Sequence, residues 1–413
     1  MSRKIAWLII LLACAAFWQC TNDPVSSRVA PRALNPAEKT LAGSSNDFGL
    51  KLFHAITTAS PQSNVFISPL SVSLALGMAY NGAGGTTREA MQKTLELSGL
   101  TIEEANQSYT SLIELLGGMD PLVKFQIANS IWYRQNFTVE NKFLEVNKTY
   151  FNAEVTGLNF DDPAASKTIN DWVNKSTKGK ITKIVDDQID PLTVMFLINA
   201  MYFKGTWTTE FNKQSTRDDW FYPAPGDSAS CKMMARADTF VYFENDLFQA
   251  VDLPYGNGDF SMTVLLPRPG VAVDSLAAQF SLKNWEQWTK SFAQSAGKLL
   301  LPKFKLEYDR LLNDDLTALG MGVAFEPGNA DFTEINQIVK LYISKVKHKT
   351  YVDVDEEGTE AAAVTSVEIG LTSIGGGSSS FVMRVDRPFV FVIREHHSGT
   401  LLFMGRVVRP AGI

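Results

Sequence analysis

Between Val194 and Phe203 the chain carries a near-continuous apolar run of strand length. A strand without polar alternation has no face to give to water, so it belongs in the middle of a sheet covered on both sides. That requirement asks for a large sheet, layers above and below it, and a chain long enough to supply them. With 413 residues, 45% hydrophobic and 20% charged, the chain is long enough. The same composition excludes disorder, collagen and coiled-coil arrays. A chain of this length buries roughly three quarters of its unfolded surface and needs no disulfide or metal to hold a core. The formal charge is −6 and no dense basic stretch occurs, which argues against nucleic acid as a partner.

The N-terminus reads as a targeting segment. Arg3 and Lys4 precede an almost wholly apolar stretch from Ile5 to Trp18, the pattern of a secretory signal over residues 1–20. Cys20, followed by Thr21-Asn22-Asp23-Pro24, resembles a bacterial lipoprotein junction, where the thiol receives diacylglycerol. Phe17-Trp18-Gln19 are bulkier than is usual there, and Leu12-Ala13-Cys14 fits locally but leaves a very short apolar region. Lipidation at Cys20 and plain cleavage are the two expected outcomes. Either makes the protein exported, as an envelope lipoprotein or a periplasmic or extracellular protein. Its only membrane contact would be that N-terminal anchor. After residue 20 no apolar run reaches the roughly 20 residues a membrane helix needs. Cys231 is the one remaining cysteine, expected to be a buried, inert thiol.

Residues 21–45, rich in Pro, Ser, Asn and Ala, show no periodic apolar pattern and read as a flexible tether. From Asn46 to the end helices and strands interleave without a linker or repeat, which predicts one large domain, 46–413. Phe48, Leu52, Ala55 and Ile56 predict a helix over 46–58. A short strand at 64–67 and a helix from Pro69 capped by Ser68 follow; that helix is apolar nearly all round and should be central. Thr86 with Glu89, and Thr101 with Glu104, read as capping boxes. Strands are expected at 124–133 and 298–306, and a C-terminal hairpin at 389–408 turning at 396–399. Runs of helix followed by runs of strand indicate an α+β fold.

The usual catalytic sets are missing. The four histidines, His54, His348, His396 and His397, form no zinc-binding pair, and there is no nucleophile elbow or phosphate loop. Two Ser-x-x-Lys matches, Ser295–Lys298 and Ser344–Lys347, fall on expected strands without companion motifs. The acidic run from Asp353 to Gly358 imitates half a calcium loop but reaches Val364 where a glutamate is needed. No enzyme, cofactor or metal is expected.

From Thr359 to Leu371 the chain alternates. Thr359, Ala361, Ala363, Thr365, Val367, Ile369 and Leu371 share one face, small at first and larger later; Glu360, Ala362, Val364, Ser366, Glu368 and Gly370 share the other. This is a strand with one core face. Yet it runs into Thr372-Ser373-Ile374 and a Gly/Ser tract to Ser380 with the composition of a linker. Pattern alone allows an ordinary strand followed by a loop, or a strand-competent segment held outside its sheet.

Longer motifs decide between them. Asn64-Val65-Phe66-Ile67-Ser68-Pro69-Leu70-Ser71, the run from Asn199 to Trp207, and the hinge Glu356-Glu357-Gly358-Thr359-Glu360-Ala361-Ala362-Ala363 resemble serpin signatures. So do Asp386-Arg387-Pro388-Phe389 and the block from Phe403 to Pro410. The resemblance covers about Asn46 to Pro410. It implies three sheets, about nine helices and an exposed reactive loop, here about 357–380. It implies a monomeric inhibitor used as a suicide substrate: a serine protease, or some cysteine proteases, attacks one loop bond. The loop then inserts into the large sheet before the acyl-enzyme can be hydrolysed. The family register places the scissile bond at Thr372-Ser373. The tract after it is about five residues longer than in many relatives, which leaves Leu371, Ser373 and Ile374 open. With no charge between Ile369 and Ser380, elastase-, subtilisin- or chymotrypsin-like proteases fit best. The resemblance also implies that Ser68, Ser71, Asn199 and His348 form a polar cluster controlling sheet opening. It pairs Lys303 with Glu356 beside Trp207. The alternatives are a non-inhibitory relative acting as carrier or chaperone, and a surface binding lipoprotein that reuses the fold.

Overall fold

The computed structural model describes residues 31–359 and 381–410. The leader, Cys20, and the expected loop residues Glu360, Ala361, Ala362, Ala363, Thr372 and Ser373 lie outside them. The first element is helix α1 (Pro36–Ala59), and here the sequence reading needs correction. Residues 36–45, expected to be tether, are the first turns of this helix. Asn35 caps it, accepting from the Glu38 amide, while Glu38 bonds back to the Asn35 amide, and Pro36 occupies the first turn. The apolar pattern is faint because Leu41 is the only large apolar residue packed there; Ala42, Ser44 and Ser45 are buried beside it, and the Ser44 hydroxyl donates to the Glu96 carbonyl.

Strand β1 (Val65–Ile67) leads into α2 (Pro69–Tyr80), where Ser68 accepts from the Ser71 amide as N-cap. Helix α2 is buried almost all round, as its composition requires. Then come α3 (Gly85–Thr94), α4 (Ile102–Gly118), β2 (Val123–Arg134), α5 (Asn141–Phe151), β3 (Glu154–Leu158), α6 (Ala164–Ser176) and β4 (Met195–Thr206). The Thr101–Glu104 box forms; the expected Thr86–Glu89 box does not. Helix α3 opens instead at Gly84, whose amide is tied to the Asp331 carbonyl, and Thr87 turns inward to accept from the Asp331 amide.

Strands β5 (Arg217–Phe221), β6 (Ala229–Glu244), β7 (Phe248–Tyr255) and β8 (Phe260–Pro267) precede the short α7 (Val273–Ala277) and α8 (Leu282–Lys290). The single strand expected at 298–306 is two: β9 (Ala293–Pro302) and β10 (Phe304–Leu311), in different sheets. Pro302 cannot donate to a ladder, so the chain leaves one sheet there and enters the other after Lys303. After α9 (Asn313–Leu316) come β11 (Lys347–Val354), β12 (Gly358–Thr359), β13 (Phe381–Arg384), and the hairpin β14 (Phe389–Glu395) with β15 (Leu401–Val407).

Two hydrogen-bonded sheets result. One sheet, of six strands, has the order β10-β11-β12-β4-β2-β3. The other runs β1-β15-β14-β8-β7-β6-β9-β13 with β5 beside β6. It joins the two smaller expected sheets, because β6 is long enough to pair with β7 at one end and with β9 along its length. With nine α-helices among the described residues, the architecture is the α+β arrangement foreseen. Aromatics weld the sheets together. Phe203 of β4 meets Phe260 of β8 and Phe403 of β15, and Phe66 stacks on both Phe391 and Phe403.

Candidate functional site

Strand β4 is central in the order, but among the described residues it is not paired along the full length of both edges. One edge pairs with β2 from Val123↔Gly205 to Tyr133↔Met195. The other pairs only at its top, with the two residues of β12: Gly358↔Thr206 and Thr359↔Gly205. Strand β11 likewise meets β12 only at Val354↔Thr359. Among the described residues, β4 and β11 therefore run side by side with a slot between them that begins just below Thr359. A cavity of about 20 Å³ lies there, lined by Met201, Tyr202 and Phe203 of β4, Tyr351, Val352 and Asp353 of β11, Thr359, Phe403, and the Thr177, Lys180 and Ile181 side of the segment after α6. That is room for about one water or one methyl group.

The top of the slot is held by a dense set of bonds. Asp355 accepts from the Glu357 and Gly358 amides, which folds the chain back between the strands. The Trp207 indole donates to the Asp355 carbonyl at 2.9 Å, and its ring stacks on Tyr255 at 4.5 Å. Thr359 is buried and bonded to the Tyr255 hydroxyl, so its side chain faces inward. Gly358 has no substitute: a Cβ there would lie 2.1 Å from the Gly205 carbonyl oxygen. Glu356, also buried, accepts from the Lys303 ammonium at 2.8 Å and from the Thr216 hydroxyl at 2.7 Å. Burial pushes this carboxyl up, but the bonds from Lys303 and Thr216 outweigh it and hold it below the usual range. Glu357 is bonded to Lys213. Sequence reasoning named Glu356, Glu357, Lys303 and Trp207. It missed Tyr255, Thr216 and Lys213, which lie far along the chain and carry no local signal.

Lower down, β11 and α2 meet in a second polar group. The Ser68 amide donates to His348 Nε2 at 3.0 Å, and the Ser68 hydroxyl donates to the Leu402 carbonyl at 2.7 Å. The same hydroxyl lies 3.3 Å from Met201 Sδ on β4. Thr350, two residues along β11, bonds to the Phe66 carbonyl. Of the four residues expected here, Ser68, Ser71 and His348 come together. Asn199 instead donates to Asn129 across the β4–β2 ladder at 2.8 Å, and its own amide oxygen has no partner among the described residues.

Because Nε2 accepts, His348 is neutral, and burial pushes it down to about 4. Unfolded, it titrates near 6.5. Between these values the opened chain binds a proton that the native one does not. Native stability is thus full above about pH 6.5 and falls as pH drops toward 4, with about 2 kcal/mol gone by pH 5. We expect native monomer to be lost faster at pH 5.0 than at pH 7.5 on native gels, and His348→Gln to flatten that difference.

Among the described residues no group of three or more His, Cys, Asp or Glu side chains is assembled for a metal. Cys231 is buried and free, its thiol pushed up to about 11 chiefly by burial.

A family model described as serpin, serine protease inhibitor, matches residues 43–410. Iripin-2 of Ixodes ricinus is 34% identical over 377 residues, covering 90% of this chain and 94% of that protein. The human leukocyte elastase inhibitor is 32% identical, covering 90% of this chain and 99% of its own. The native-state structure of tengpin, a thermophilic serpin, superposes with a TM-score of 0.82 at 33% identity, over 92% of this chain and 96% of that one. The chain belongs to the serpin family.

Proposed function

We propose that this serpin is an inhibitor of elastase-, subtilisin- or chymotrypsin-like serine proteases that works by inserting its cleaved loop into the slot between β4 and β11. The observation that carries this reading is the register of β12. Thr359, the first inward residue of the alternating face, is already seated between Gly205 and Val354. Two further steps on each ladder set Ala361 between Phe203 and Val352. Those two residues line the small cavity, and a methyl group is what the cavity admits.

The remaining inward residues, Ala363, Thr365, Val367, Ile369 and Leu371, follow at alternate rungs. A dozen or so new rungs at about 1 kcal/mol each, with buried apolar side chains besides, favour the inserted state by on the order of 10 kcal/mol. The uninserted form is then protected by barriers rather than by equilibrium. At about 3.3 Å per residue, the fifteen steps from Glu357 to Thr372 span roughly 50 Å, which carries an attached protease to the other end of the sheet. Water would find a displaced active site before it could release the acyl group.

The test is direct. Incubation with pancreatic elastase should give a complex that survives SDS, and mass spectrometry of the released C-terminal fragment should begin it at Ser373 or a neighbouring residue. Clean cleavage by every such protease, with no complex, would sink the reading. Thr372→Arg should redirect inhibition to trypsin; an unchanged profile would put the bond elsewhere.

The Lys303–Glu356 pair holds the hinge at the mouth of the slot. Glu356→Lys sets two ammonium groups against each other and leaves both without a partner. The native monomer should then convert to inserted or polymeric forms about ten-fold faster at mild heat, read on native gels. We also infer that the leader directs export and that Cys20 is its lipidation site. Cys20→Ala should move the protein from the membrane fraction to the soluble one.

A further inference from the structure

Met201 sits where a chemical change in one side chain would be felt by the slot. Its Sδ stands 3.3 Å from the Ser68 hydroxyl at the N-cap of α2. One edge of β4 ladders Met201 to Ile127 of β2; on the edge toward β11 nothing pairs with it among the described residues. Met201 also lines the cavity of about 20 Å³ between the two strands, and part of its surface is exposed. Eight of the eleven methionines among the described residues are buried; Met119 and Met195 are the other two that are not, and neither lines that cavity. From 357 to 380 the sequence contains no methionine, cysteine, tryptophan, tyrosine or histidine, so a two-electron oxidant finds no ready target in the loop. Cys231 is buried and its thiol pushed up by that burial, which keeps it unreactive.

The Ser68 hydroxyl has a single hydrogen. It goes to the Leu402 carbonyl at 2.7 Å, while the Ser71 amide donates to the same hydroxyl oxygen at 3.3 Å. A thioether tolerates this arrangement, because its sulfur is a weak acceptor and needs no donor when packed. A sulfoxide oxygen is a strong acceptor. Formed here, it draws the Ser68 hydrogen away from Leu402 or stays unbonded in a half-buried place, and either is unfavourable. The cavity holds about one water, so an oxygen added at the sulfur also takes the room that a methyl group would enter.

We propose that Met201 is an oxidation site at which hydrogen peroxide switches inhibition off. A sulfur lone pair attacks one peroxide oxygen, and the S–O bond forms as the O–O bond breaks. The departing hydroxide takes the proton from the transferred oxygen and leaves as water, so the thioether gives up two electrons and becomes a sulfoxide. The effect on protease trapping rests on the inhibitory reading above. With an oxygen at the slot and the Ser68 bond disturbed, the cleaved loop enters more slowly and the acyl-enzyme is hydrolysed first. A thiol-dependent methionine sulfoxide reductase restores the thioether, which makes the switch reversible.

The test treats wild type and Met201→Leu, a volume-conserving change that removes the sulfur, with hydrogen peroxide at neutral pH. Peptide mapping by mass spectrometry reads the oxygen gained at each methionine. Titration of pancreatic elastase reads the stoichiometry of inhibition, each protein against its own untreated sample. The expected result is one oxygen at Met201 while the buried methionines lag, with the wild-type stoichiometry rising at least five-fold in step. Met201→Leu should lose that response, and sulfoxide reductase with dithiothreitol should return the wild type to its starting value. A Met201 left unmodified while Met119 and Met195 react would show that the sulfur is out of reach and overturn the proposal. A modified Met201 with unchanged stoichiometry, or an equal loss of inhibition in Met201→Leu, would overturn it too while leaving the inhibitory reading intact. Untreated wild type that yields only cleaved product overturns that reading, and the switch with it.

Discussion

Cutting the loop once should make this protein melt higher, not lower. A nick in an ordinary surface loop leaves stability unchanged or reduces it. Here, among the described residues, nothing pairs between β4 and β11 below Thr359, and the alternating sequence from Ala361 to Leu371 is the segment proposed to enter there. On the proposed mechanism, release of one end lets the segment enter as a new central strand. A gain on the order of 10 kcal/mol in a chain of this size raises the melting temperature by on the order of 10–20 °C. Scanning calorimetry of intact protein and of protein nicked in the loop by a non-target protease makes the comparison. A nicked form that melts no higher than the intact one would show that the slot does not accept the segment.

Ala361→Glu should convert the protein from inhibitor to substrate. By register this side chain enters the space of about 20 Å³ between Phe203 and Val352. A carboxylate does not fit that volume, and driving it between Phe203, Val352 and Phe403 strips it of water at a cost of several kcal/mol. Every 1.4 kcal/mol added to the insertion barrier slows insertion tenfold against deacylation. The stoichiometry of inhibition should rise at least ten-fold, with SDS-stable complex giving way to cleaved product on gels. Ala362→Glu, on the opposite face, should change it little. Equal behaviour of the two variants would mean that the segment does not insert in this register.

Much of this was legible in the sequence because it is local chemistry. The Ser68 cap, the Thr101–Glu104 box, the C-terminal hairpin and the inward alternation from Thr359 each declare themselves within a few residues. The errors fell where local signals compete with packing. The first turns of α1 were missed because Leu41 is the only large apolar residue there, and small residues, Ala42, Ser44 and Ser45, supply the rest of the buried face. The break at Pro302 was missed because both strands are individually strand-like, and only the sheets tell them apart. The polar group at His348 was expected to include Asn199, whose amide is instead turned across the ladder to Asn129. The bonds of Tyr255, Thr216 and Lys213 to the hinge span 104, 140 and 144 residues, and no spacing rule reaches that far.

Strand β1, near the start of the domain, has a single ladder partner, β15, which ends it: Val65 lies opposite Arg406. The buried Arg406 guanidinium also donates to the carbonyls of Thr57 and Ser63. A growing chain can thus make its helices and much of the six-stranded sheet, but β1, bonded to β11 through Thr350, has no ladder partner until almost every residue has emerged from the ribosome. Such late closure is slow to find and leaves sticky strand edges waiting. Truncations that remove only the last dozen residues should consequently yield aggregates rather than a shortened native fold.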